Sequence, residues 1–183
     1  MHKNERINMR IGNISRQSFG FFYFPNSIED KREMRAKLNR LSSDHLARFS
    51  DMREGRDFEG YIHLSMDKNL NCKIFSNKNI TWPEDGSYVS DFNPPTRFTV
   101  HGNEMYFPSY HLSIVRDDSD KKYTYYKVIY DSKPVDSDLS KDEYSPRYFG
   151  LAVSTLNRTL APWVAAQIRD QEDRSECINH LLS

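Results

Sequence analysis

From Gly60 to Tyr130 the chain is a succession of short β-prone runs broken by turn residues, and this limits the folds open to it more than any other feature. The runs 60–66, 97–100, 105–107, 110–115 and 123–130 are rich in β-branched and aromatic side chains, which pack well on a pleated surface. Asn, Asp, Ser and Pro crowd residues 67–97, where short strands are expected around 73–75 and 88–89. Gly102-Asn103 between two runs predicts a hairpin turn.

Helical signals lie outside this stretch. The aromatic run Phe19-Gly20-Phe21-Phe22-Tyr23-Phe24 reads as a buried strand stopped by Pro25-Asn26. Ser27-Ile28-Glu29-Asp30 then has the form of a helix start, and Ile28, Met34, Leu38, Leu41 and Leu46 predict one helix over about 28–48. Ser145-Pro146 opens a C-terminal helix with the apolar stripe Phe149, Val153, Leu156 and Leu160, and Pro162 is expected to kink or divide it. Residues 1–18 read as a polar arm, with a short strand at 7–11. The expected fold is therefore a single α+β domain over 19–183. It has an antiparallel sheet, a helix after the first strand, a C-terminal helix, and room for a division into two lobes.

Composition narrows the function classes. Lys plus Arg is 26 and Asp plus Glu is 26, which argues against a wholly basic nucleic-acid coat but not against a local basic cleft. Only 37% of residues are apolar, yet 11 Tyr and 11 Phe supply enough aromatic bulk to build a core. No run reaches the length of a membrane span, the N-terminus lacks a secretory signal, and two distant cysteines, Cys72 and Cys177, suit reduced thiols. A cytoplasmic protein without membrane contact is expected.

The candidate site comes from a repeated pattern. His63-Leu64-Ser65-Met66 and His111-Leu112-Ser113-Ile114 both read His, apolar, hydroxyl, apolar. On a strand, residues i and i+2 share a face, so His63 projects with Ser65, and His111 with Ser113. If the two strands lie side by side, two imidazoles and two hydroxyls line one cleft. One neutral imidazole can then take a proton from a nucleophile, while the other, protonated, supplies one to a leaving oxygen. The hydroxyls can bind the non-bridging oxygens of a phosphodiester, and neither metal nor cofactor is needed. Tyr125 and Lys127, on one face of the run 123–130, suggest a base-stacking wall with a phosphate contact. Arg116 can touch phosphate or pair with Asp117 or Asp118.

These motifs resemble those of the 2H phosphoesterase superfamily, which carries two H-Φ-[ST]-Φ motifs, one in each lobe of a bilobal α+β fold. The resemblance covers about 19–130 and includes the order strand, helix, strand before His63. It implies His63 and His111 as the acid–base pair and Ser65 and Ser113 as phosphate-binding hydroxyls. It also implies a nucleotide phosphodiester as substrate: a 2′,3′-cyclic RNA end, a 2′–5′-linked oligonucleotide or a cyclic oligonucleotide signal.

Other readings stay open. The segment 110–117 also resembles the His-containing strand of phosphothreonine lyases, although Ser109 stands where those carry lysine. Residues 59–65 resemble a segment of ADP-ribosyltransferase-like folds. Arg174 and His180 are spaced as in some HEPN ribonucleases, but they sit outside an all-helical context, and a solvated terminal helix explains them better. A non-enzymatic effector or anti-defence factor that acts by protein contact is the main alternative.

Overall fold

A computed structural model describes residues 22–54 and 60–183. The expected arm at 1–18 and strand at 7–11 lie outside the described residues, as do Phe19, Gly20 and Phe21. Among the described residues one sheet carries all nine strands, in the order β1-β2-β3-β8-β7-β6-β5-β4, with β9 on the end of β8. The strands are β1 (Phe22–Tyr23), β2 (His63–Met66), β3 (Cys72–Asn77), β4 (Gly86–Ser90), β5 (Thr96–His101), β6 (Glu104–Phe107), β7 (Leu112–Asp117), β8 (Tyr123–Tyr130) and β9 (Lys133–Pro134). All pairings are antiparallel except β1 with β2, which are parallel. The expected α+β class and antiparallel sheet are found, on one continuous sheet rather than in two lobes.

Helices occupy the β1–β2 crossover, as a parallel pair requires. Here the single expected helix is two: α1 (Ile28–Leu38) and α2 (Ser43–Glu54). Ser27 caps α1 by accepting from the Asp30 amide at 3.1 Å, with Glu29 and Asp30 in the first turn. The break comes where Asn39 ends α1 and the Ser42 hydroxyl accepts from the His45 amide at 3.1 Å to start α2. A second cap four residues past a helix end opens a new axis.

The C-terminal helix, α3 (Ser145–Leu182), runs as one element through Pro162 and is not divided there. Its 38 residues span about 57 Å. Phe149, Ala152, Val153, Leu156 and Leu160 press onto the sheet against Leu64, Met66, Ile74, Ile114 and Val128. Burial of the larger of these side chains contributes roughly 1.5–3 kcal/mol each. From Ile168 onward every residue of α3 is exposed.

All this packing lies on one side of the sheet. The alternation is plain in β5, where Thr96, Phe98 and Val100 are buried while Arg97, Thr99 and His101 face solvent. The other side of the sheet, the outer face, is where the candidate site lies.

Candidate functional site

Cross-strand pairs fix which side chains share the outer face. His63 pairs with Phe75, Phe75 with Tyr125, and Tyr125 with Asp117, giving one row across β2, β3, β8 and β7. Two residues along the strands, about 6.8 Å away, a second row runs from Ser65 through Lys73 and Lys127 to Val115. Lys73 and Lys127 are exposed, and Ser65, Phe75, Tyr123 and Tyr125 are half-buried. Tyr23 pairs with Ser65 and brings its ring to the same face.

The first row is a continuous aromatic band. Phe75 is its hub, with ring centroids 5.3 Å from His63, 5.9 Å from Tyr23, 5.1 Å from Tyr123 and 6.1 Å from Tyr125. His63 also lies 5.8 Å from Tyr23. Cations border the band: Lys73 Nζ is 5.8 Å from the Tyr125 ring centre, and Lys122 Nζ is 5.3 Å from that of Tyr123. Tyr23 is buried, while Phe75, Tyr123 and Tyr125 are half-buried rings, tilted or edge-on to one another, beside exposed positive charge.

The electrostatics of the band follow from burial. Desolvation between the neighbouring rings pushes the His63 imidazole down to about 4, so it is neutral at pH 7. Tyr125 is raised, chiefly by desolvation and then by the charge on Asp120, and is a neutral phenol at pH 7. Asp117, at the end of the aromatic row, is held below the usual carboxylate range by the hydroxyl and amide of Ser119.

The structure does not bring His63 and His111 together. β2 and β7 are separated by β3 and β8, so the two strands lie roughly 14 Å apart. The residue level with His63 on β7 is Asp117, and His111 precedes it by six positions, roughly 20 Å along the strand. Two imidazoles so placed cannot reach one phosphorus. Nor is His111 on a strand. Pro108–Tyr110 form a 3-10 turn, and His111 follows in the left-handed region at φ 52°, ψ 33°. That breaks the alternation which would have put His111 beside Ser113. Pro108, which opens the turn, was the signal for this.

The remaining candidates divide. Ser65, Tyr125 and Lys127 share the outer face near Phe75, as their alternation implied. Ser113 is on that face too, paired with Ile129 and Tyr106, but it is buried, and both β3 and β8 lie between it and Ser65. Arg116 pairs with Tyr126 and so faces the helix side. There its Nε lies 3.2 Å from Asp118 Oδ2, its Nη2 donates to Asn103 Oδ1 at 3.0 Å, and its guanidinium covers Trp82 at 4.9 Å. The expectation that Arg116 and Lys127 flank one cleft is therefore corrected: the pleat sends them to opposite faces. Phe75 and Lys73 were missed, because the short strand 72–77 gave only a weak pattern within a polar stretch, and Tyr23 was missed because its pairing with Ser65 is a long-range contact.

Among the described residues no cluster of His, Cys, Asp and Glu could hold a metal ion, and no helix is long and apolar enough to cross a membrane. Cys72 is buried, with its thiol pushed up by desolvation, and Cys177 is exposed. No protein-family model matches the chain, and neither a curated protein nor a solved structure does.

Proposed function

We propose that the protein binds single-stranded oligonucleotides on the outer face of its sheet. The carrying observation is the group of half-exposed rings Phe75, Tyr123 and Tyr125, backed by His63 and the buried Tyr23, with Lys73 and Lys127 one step along the strands. Bases stack on exposed rings for about 1–3 kcal/mol each, and every base has a π-face, so such a surface takes single strands of varied sequence. The lysine row lies where a backbone would run when its bases lie over the aromatic row. A duplex keeps its bases stacked on each other and cannot use the rings. The neutral overall charge suits a short ligand better than a long one, because few phosphates are neutralised.

This reading keeps the oligonucleotide as partner and does not keep hydrolysis by paired histidines. A general acid and a general base must both lie within hydrogen-bond reach of the reacting group. His63 serves here as a neutral, aromatic part of the platform.

The test is fluorescence anisotropy with labelled RNA and DNA octamers and a matched duplex. Single strands should bind, the duplex should bind more weakly, and Tyr125→Leu should weaken single-strand binding about 5- to 100-fold. No single-strand binding up to about 100 µM protein, or binding unchanged in Tyr125→Leu, would overturn the proposal.

A further inference from the structure

The lysine row gathers its charge in one place. Lys73 and Lys127 stand opposite each other across the β3–β8 ladder, and Ser65 is next to Lys73 on β2. Side chains so paired start about 5 Å apart. Both lysines are exposed, and among the described residues neither forms an ion pair. Asp117 is within electrostatic reach of Lys127, but its carboxylate accepts from the Ser119 amide at 3.0 Å. Like charges directly opposite weaken a sheet, so an anion between the two ammonium groups would relieve a standing repulsion.

The surroundings confine that anion to one position. Beyond Lys127 the row continues to Val115 and then to the exposed Glu104, and the aromatic row ends at Asp117. A backbone running on over β7 and β6 would therefore meet an apolar side chain and two acids. The other lysines nearby are placed elsewhere. Lys78 donates to the Asp118 carbonyl at 2.9 Å, and Lys122 lies across the aromatic row against Tyr123.

We infer that Lys73 and Lys127 hold the terminal phosphate of a short strand, so that the ligand is an end-phosphorylated oligonucleotide rather than an internal stretch of a long one. This rests on the stacking platform proposed above. A phosphomonoester carries about −1.5 to −2 charges near pH 7 and offers three acceptor oxygens, whereas an internal phosphodiester carries one charge. Two ammonium groups and the Ser65 hydroxyl supply a donor for each of the three oxygens. The lysine row is about 6.8 Å from the aromatic row, and Lys73 Nζ is 5.8 Å from the Tyr125 ring centre. The base of the same nucleotide is thereby left within reach of Tyr125.

Calorimetric titration with four unlabelled RNAs of one sequence tests this: a tetramer with a 5′-phosphate, one with a 3′-phosphate, one with hydroxyls at both ends, and a hydroxyl-ended pentamer. One of the phosphorylated tetramers should bind about five-fold or more tighter than the hydroxyl-ended tetramer. The pentamer, which adds an internal phosphate instead, should bind like the hydroxyl-ended tetramer. Lys73→Gln and Lys127→Gln should each shrink the preference for a phosphorylated end, and together abolish it. Equal affinities for the three tetramers would overturn the inference with the platform intact. So would a pentamer that gains as much as a phosphorylated end, or a preference undiminished in both single variants. Failure of all four RNAs to bind would overturn the platform itself. The single variants decide the matter even if the double variant does not fold.

Discussion

His63 lies directly across the β2–β3 ladder from Phe75, with the two rings 5.3 Å apart. Pairing with a large apolar ring removes water from the imidazole, and the group titrates near 4 instead of 6.5. The sign of the linkage follows. The folded protein resists a proton that the unfolded chain accepts, so His63 costs nothing above pH 6.5 and destabilises progressively from there down to about pH 4. At 1.36 kcal/mol per unit the loss is at most about 3 kcal/mol, and partial exposure reduces it. Urea unfolding between pH 7 and 4 should show the decline. His63→Phe should flatten it, and an equal decline in that variant would contradict the assignment.

Lys73 and Lys127 should act on binding through charge alone. Each phosphate contact on a single strand contributes about 0.7 to the slope of log K against log salt. Lys73→Gln and Lys127→Gln should each reduce that slope by about this amount, with little change in melting temperature, because both side chains are exposed. Anisotropy titrations over a range of NaCl check this, and an unchanged slope in both variants would remove the lysine row from the site.

His111 has a backbone problem and no shared catalytic geometry with His63. Its φ of 52° crowds any Cβ. His111→Gly should leave stability unchanged or raise it by up to about 1 kcal/mol, whereas His111→Val should lower it by more than about 1 kcal/mol. Neither change should alter oligonucleotide affinity. Thermal melts with binding curves test both halves, and a ten-fold loss of affinity in His111→Gly would return this residue to the site.

Asn157 of α3 anchors the start of β2. Its Oδ1 accepts from the amides of Tyr61 and Ile62, both at 2.8 Å, in a buried setting. Asn157→Ala leaves two donors without that acceptor and should cost about 2–4 kcal/mol. Gly60 permits the contact: at φ 144° a Cβ there would fall 2.3 Å from Asn157 Oδ1. Gly60→Ala should therefore also destabilise, and the double variant should lose clearly less than the two single losses combined. Full additivity by urea unfolding would separate the two residues.

The free end of α3 should behave as a nearly isolated helix. Ile178, Leu181 and Leu182 are 51%, 82% and 82% exposed, and short helices without packing are marginal in water. Amides beyond about Ile168 should exchange with solvent far faster than those around Val153–Leu160, by hydrogen-exchange mass spectrometry. Equal protection along the helix would show that the end is covered in solution.

What the sequence made legible was set by local periodicity. The eight-residue alternation of 123–130 gave β8 to the residue, because both faces carry β-formers. The same alternation placed Tyr125 and Lys127 together. The apolar stripe of α3 was equally plain, although Pro162 was read as a break and the helix absorbs it. Strand order was not legible. Two similar motifs suggested adjacent strands, but the β3 and β8 ladders intervene, and such pairings are set by long-range packing. The short motif at 111–114 hid a turn, so a match in residue type did not carry a match in direction. Phe75, at the centre of the band, sits in a six-residue strand flanked by Asn, and only its neighbours in space reveal its place.

The most direct test is a footprint of the bound strand. Backbone and aromatic NMR shifts, recorded as an unlabelled single-stranded RNA octamer is added to labelled protein, report where it sits. The largest changes are expected at Phe75, Tyr123, Tyr125, Lys73 and Lys127, with α3 unmoved. Changes centred on His111 or on α3, with the outer face of β3 and β8 silent, would contradict it.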